Sequence, residues 1–250
     1  MPTTSLSPDD SSAFESTMLA LPHALAAGVT VLRIAFDFGV GLDHEAFAAL
    51  ADDERARAAR FLRPEDGIRY AATRMALRQA IGAYLGVEPA RLRFSYDNVG
   101  RPAVIDAPAG FDFNVSHSGD FALIAWAPAR RVGVDIESKR ERLDWRTLAE
   151  TVFGTHDHLL VEALPPHAQA DAFFDVWTAK EALLKAIGIG IAGGLERFSV
   201  LNEARREPLL RHAEPDAPIS SLPLHDYEAY WCDAPSGYSA CIAWSRAEAI

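Results

Sequence analysis

The stretch VGVDIE (132–137) decides how the rest of the chain is read. Val132, Val134 and Ile136 are β-branched and favour a pleated, half-buried strand. Strand side chains alternate faces, so Asp135 and Glu137 share one face while Val134 and Ile136 share the other. Two carboxylates held that close repel, and each raises the other's pKa unless something positive lies between them. Either this is an exposed strand face, or a positive object is held there.

Immediately upstream, FALIAWA (121–127), a turn at Pro128 and VGVDIE suggest a β-hairpin. Upstream, VTVLRIAFDF (29–38) reads as a strand. The spacing predicts a helix over 43–62, with Asp43 as its N-cap, and a second over 65–86 that stops at Gly86. Short strands are expected at 92–96, 102–105 and 111–116. Downstream, helices are expected at 144–152, 155–164 and 167–187, then strands at 197–201, 227–233 and 238–244. Residues 1–20, rich in Ser, Thr, Pro and Asp, read as a loose tail, and EPDAPISSLP (214–223) as a surface loop. Each half runs strand, helices, then several strands. The halves share element order without close sequence identity.

The chain has 250 residues, 49% hydrophobic and 24% charged, and so can bury a real core. Its net charge of −11 argues against general binding to nucleic acid or anionic membranes. Cys232 and Cys241 lack metal-type spacing and fit a reducing compartment. The apolar stretch from Met18 is interrupted by Pro22, His23 and Gly28, and the first cationic residue is Arg33. Neither a signal peptide nor a membrane span is expected, which points to the cytoplasm.

Two further stretches carry chemistry. In WTAKEALLKAIGIG (177–190), Glu181 and Lys185 lie four apart on one helix face, as a solvated ion pair or as part of a site. In FNVSHSGDFALIAW (113–126), His117 sits between Ser116 and Ser118 where one strand ends and the next begins. Hydroxyls, an imidazole and a backbone turn there can hold a phosphate. The pair His156 and His158, two apart, lacks helix-face ligand spacing. The run Asp52, Asp53, Glu54 reads as solvated helix surface.

Taken in order, these segments resemble the Sfp-type 4′-phosphopantetheinyl transferases. The chain carries GRP (100–102), FNVSHS (113–118), GVDIE (133–137) and WTAKEALLK (177–185) followed by GIG (188–190), with matching spacing. The resemblance implies an α+β fold of two similar α/β lobes in one chain, a pseudo-dimer. Each lobe has a small, mainly antiparallel sheet packed against helices, with the active site at the lobe junction. The lobes are expected at 21–119 and 120–250. The implied reaction moves the 4′-phosphopantetheine arm of coenzyme A onto a serine of an apo acyl or peptidyl carrier protein and releases 3′,5′-ADP. Mg²⁺ is the implied positive object, held by Asp135, Glu137 and Glu181. Catalysis falls to Glu181, directly or through a metal-bound water, and to Lys185. Residue-by-residue matching puts coenzyme A contacts at Arg57, Arg74, Arg101, Ser116, His117 and Lys185, with Arg55 or Arg60 as substitutes for Arg57. A monomer is expected.

Two other functions compete. An idle module that only binds carrier proteins would be free to lose one of Asp135, Glu137, Glu181 and Lys185, yet all four are present. A Mg²⁺-dependent nucleotide phosphotransferase would want a GxxxxGK[ST] phosphate loop, which the sequence lacks.

Overall fold

A computed structural model describes residues 12–98, 100–139, 143–190, 194–204, 207–212 and 222–246. Most of the expected tail and most of the expected 214–223 loop lie outside the described residues. The chain forms two compact units, Met1–Thr17 with Ile34–Leu92 and Met18–Arg33 with Arg93–Ile250. The expected lobe boundary at 119/120 falls inside the second unit.

The chain opens with β1 (Phe14–Met18), a short α1 (Pro22–Ala26) and β2 (Thr30–Phe36). The strand β1 replaces part of the expected loose tail, because Ala13 and Phe14 are buried apolar residues and the Ala13 carbonyl accepts from the Asp37 amide. In the first unit the helix expected over 43–62 is broken. It becomes a 3-10 turn at Glu45–Phe47 and α2 (Asp52–Ala58). Asp43 is not the cap of either. Side chains capture the backbone between the pieces and so compete with a continuous helix. The Arg55 guanidinium binds the carbonyls of Phe47 and Ala48, and the Glu54 carboxylate accepts from the Ala51 amide at 3.0 Å. The long α3 (Pro64–Leu85) ends at Gly86 as expected. Glu54, expected on a solvated surface, is instead buried between Arg74 and Arg78, both at 2.7 Å. Burial of the carboxylate opposes its charge, but these cations and the Ala51 amide hold its pKa below the ordinary value.

The second unit continues with β3 (Phe94–Tyr96), β4 (Pro102–Val104), β5 (Asp112–Ser118), β6 (Phe121–Ala127) and β7 (Val132–Ser138). Helices α4 (Trp145–Val152), α5 (Thr155–Glu162) and α6 (Pro166–Ile187) follow. Then come β8 (Phe198–Ser199), β9 (Arg211–His212), β10 (Tyr227–Trp231) and β11 (Tyr238–Ser245). The fold is thus α+β, with small antiparallel sheets and helices. The expected hairpin of β6 with β7 does not form. Instead β6 pairs with β5 through a tight turn at Gly119, in register Ser118↔Phe121, while β7 pairs with β11 in a sheet ordered β10-β11-β7. Pattern alone fixes strands, but pairing is set by what each face buries. Val132, Val134 and Ile136 pack with Leu123, Ala125, Ile242 and Trp244 in one apolar cluster.

This pairing leaves β7 at a sheet edge, whose amides and carbonyls need partners. Side chains supply them. Asp112, Asn114, Ser116 and Ser118, alternate residues on one face of β5, accept from the amides of Val132, Val134, Ile136 and Ser138. The Val132 carbonyl accepts from Arg101 and the Val134 carbonyl from Lys185. On the other side, α6 lies directly on β7. A Cβ at Gly133 would sit 2.1 Å from the Ala182 carbonyl oxygen and 2.4 Å from the Ala186 nitrogen. Only glycine permits that approach.

Candidate active site

Three elements bring the predicted residues together: β5 with its two serines, β7 with its two carboxylates, and α6 with Glu181 and Lys185. The α6 register places Glu181 and Lys185 one turn apart, with Lys185 Nζ 3.9 Å from the Glu181 carboxylate. That ammonium also sits 2.6 Å from Asp135 Oδ1 and 3.3 Å from Ser116 Oγ. Ser116 donates to the same Asp135 oxygen at 2.7 Å, and Ser118 donates to Glu137 Oε2 at 2.8 Å. The pair Glu181–Lys185 is therefore part of a buried cluster, not a solvated surface pair.

Charge in this cluster is unbalanced. Asp135 is 2% exposed and Glu181 8%. Burial pushes the Glu181 carboxyl up to about 7; Lys185 opposes the rise, and Asp135 and Glu137 add to it. Among the described residues, Asp135 Oδ2 is buried without a hydrogen-bond partner. An unpartnered buried carboxylate oxygen is costly and calls for a ligand. Among the described residues no three His, Cys, Asp or Glu form a ready metal group. Asp135, Glu137 and Glu181 are thus not drawn into a closed cage, and the Lys185 ammonium lies on Asp135. The donors nevertheless fit a hard divalent cation: they are all carboxylate oxygens, and one of them is buried and unpartnered.

The remaining predicted residues are placed differently. His117 is exposed, on the opposite face of β5 from Ser116 and Ser118. Arg101 is largely buried and donates to Asp112 at 2.6 Å, to the Val132 carbonyl at 2.8 Å and to the Lys185 carbonyl. It ties β5, β7 and the end of α6 together. Arg57 and Arg74 belong to the first unit. Arg57 is exposed and lies over the Tyr70 ring at 5.0 Å, whereas Arg74 is buried against Glu54.

Sequence reasoning passed over Lys180, the neighbour of Glu181. It is fully buried, 2.7 Å from Asp157, and donates to the Val152 carbonyl at 2.6 Å and the Leu195 carbonyl at 2.9 Å. Burial pulls its pKa down, and Asp157 opposes that. Asp157 in turn accepts from the amides of Val200 and Leu201, both at 2.8 Å. This pair anchors α6 to the segment that follows it, behind Glu181. No signal in KEALLK separates the lysine that anchors the helix from the one that enters the site. Ser118 did carry a signal, the period-two polar series Asp112, Asn114, Ser116, Ser118.

The family described as the 4′-phosphopantetheinyl transferase superfamily matches residues 131–243, and that described as 4′-phosphopantetheinyl transferase, N-terminal, matches 43–129. The chain is 41% identical over 170 residues to the 4′-phosphopantetheinyl transferase HetI of Nostoc sp., covering 67% of this chain and 72% of that protein. The chain belongs to the 4′-phosphopantetheinyl transferase superfamily. It is also 30% identical to a 4′-phosphopantetheinyl transferase of Bacillus subtilis, over 64% of this chain and 70% of that one. Among solved structures, the holo-[acyl-carrier-protein] synthase of Neisseria meningitidis aligns with a TM-score of 0.37 at 16% identity, over 46% of this chain and 97% of that one. The transferase has no helix, among its described residues, long and apolar enough to cross a membrane.

Proposed function

We propose that this transferase moves the 4′-phosphopantetheine arm of coenzyme A onto a serine of an apo carrier protein, as a Mg²⁺-dependent enzyme of the holo-[acyl-carrier-protein] synthase type. The observation that carries the reading is the buried cluster of Asp135, Glu181 and Lys185 with an unpartnered Asp135 oxygen. Asp135, Glu137 and Glu181 are the residues that would hold Mg²⁺, which when bound offsets the charge of the pyrophosphate and of the departing phosphate. The serine oxygen forms a bond to the phosphorus that carries the pantetheine arm, and the bond from that phosphorus to 3′,5′-ADP breaks. Glu181 takes the serine proton. Lys185 neutralises the departing phosphate oxygen.

For coenzyme A, His117 offers an exposed imidazole on β5. Arg74 and Arg101 are paired with Glu54 and Asp112, which orient their guanidinium groups. Asp135, Glu137, Glu181 and Lys185 all lie in one unit of one chain, which supports a monomer. The two-lobed pseudo-dimer and a cytoplasmic location belong to the same reading. It is supported by the repeated element order and by the two unpaired cysteines.

The test is a Mg²⁺ titration of carrier modification. Asp135→Ala is expected to need a Mg²⁺ concentration at least about tenfold higher than wild type for half-maximal rate, since losing even an outer partner of a metal costs that much. An unchanged Mg²⁺ requirement in a folded variant would remove Asp135 from the site.

A further inference from the structure

The side-chain ladder between β5 and β7 does more than cover a sheet edge. Its first two rungs, Asp112 and Asn114, hold the β7 backbone, and Asp112 also pairs with Arg101 and Arg131. Its last two rungs also touch the carboxylates. We infer that Ser118, together with Ser116, is a positioning residue for the cation ligands Glu137 and Asp135. The inference rests on the Mg²⁺ reading above.

A serine hydroxyl has one proton and two lone pairs, and it rotates to suit its neighbours. The Ser138 amide donates to Ser118 Oγ at 3.1 Å, so that oxygen must act as acceptor toward the backbone. Its single proton is left for Glu137 Oε2 at 2.8 Å. The same logic holds one rung earlier. The Ile136 amide at 3.4 Å and the Lys185 ammonium at 3.3 Å both donate to Ser116 Oγ, and the hydroxyl proton goes to Asp135 Oδ1 at 2.7 Å. Each of the two strand carboxylates is therefore held by a hydroxyl whose direction is fixed by the strand carrying it.

The consequence is selective. With Oδ1 of Asp135 occupied by Ser116 and Lys185, Oδ2 is the oxygen left for a ligand. A hydrogen bond to one oxygen of a ligating carboxylate fixes its rotamer and tunes its basicity, the usual work of an outer partner at a metal site. The strand period of two carries this arrangement from one carboxylate to the next. Ser116, expected to contact coenzyme A, is 9% exposed and already engaged in this task.

The experiment measures Mn²⁺ binding by electron paramagnetic resonance, without substrates, on wild type and on Ser118→Ala, Ser118→Thr and Asn114→Ala. Ser118→Ala is expected to weaken Mn²⁺ binding by about tenfold or more. Ser118→Thr keeps the hydroxyl and is expected to restore it. Asn114→Ala removes a rung that touches no carboxylate, so it should lower the melting temperature while leaving Mn²⁺ affinity near wild type. If Ser118→Ala does not fold, Ser118→Cys, similar in size but a weaker donor, gives the same comparison. A folded Ser118→Ala or Ser118→Cys that binds Mn²⁺ as wild type does would overturn the inference and leave the Mg²⁺ reading standing. Wild type that binds no Mn²⁺ would overturn that reading, and the inference with it.

Discussion

Glu181→Gln is expected to lower kcat by roughly a hundredfold or more, as when a positioned proton acceptor is removed. The same change should stabilise the metal-free protein at alkaline pH. Burial raises the Glu181 pKa from its ordinary 4.5 to about 7, with Asp135 and Glu137 adding to the rise and Lys185 opposing it. The folded state therefore keeps the proton longer than the unfolded state does. The contribution of Glu181 to stability is greatest below about pH 4.5 and falls as pH rises through 7. Gln cannot ionise and avoids that loss. In the absence of divalent cations, the melting temperature of Glu181→Gln should match wild type at pH 4 and exceed it at pH 8. Near-normal kcat with no pH-dependent gain would return Glu181 to an ordinary helix position.

Gly133→Ala should unseat the site through the backbone. The added methyl would meet the Ala182 carbonyl oxygen at 2.1 Å and the Ala186 nitrogen at 2.4 Å, and neither can move without moving α6. The strand and helix must separate, which costs about 3 kcal/mol by the scale of overpacked cores. Separation also pulls Asp135 away from Lys185, now 2.6 Å apart, and from Glu181. A fall in the urea midpoint together with a loss of kcat beyond about tenfold is expected, because small misplacements of catalytic groups are costly. Normal stability and rate in Gly133→Ala would show that α6 and β7 do not need this close approach.

How much of this was legible in the sequence depends on the kind of order involved. The strand VGVDIE, the helix bearing Glu181 and Lys185, and the stop at Gly86 follow from periodicity and backbone chemistry, which are local. Pairing is not local. The interval between Ala127 and Val132 looked like a hairpin turn, yet those strands lie in different sheets because their buried faces demand it. The helix expected over 43–62 failed for a related reason: Glu54 and Arg55 find backbone partners that a helical pattern cannot reveal. At the site, same-face spacing correctly joined Asp135 with Glu137 and Glu181 with Lys185. It could not show that Arg74 and Arg101 are bound to Glu54 and Asp112, nor that Lys180 points inward to Asp157. The alternate polar residues of β5 were visible as a pattern, but their partners belong to a strand 20 residues away.

Transfer of the phosphopantetheine arm is the activity on which every site role above depends. It is tested by incubating the purified protein with coenzyme A, Mg²⁺ and an apo acyl or peptidyl carrier, and weighing the carrier by mass spectrometry alongside a Glu181→Gln control. The carrier is expected to gain one 4′-phosphopantetheine on its serine, 3′,5′-ADP to appear in equal amount, and the control to be slowed by about a hundredfold. A folded wild-type protein that leaves every class of carrier unmodified, fatty-acid, polyketide and nonribosomal-peptide alike, would contradict it.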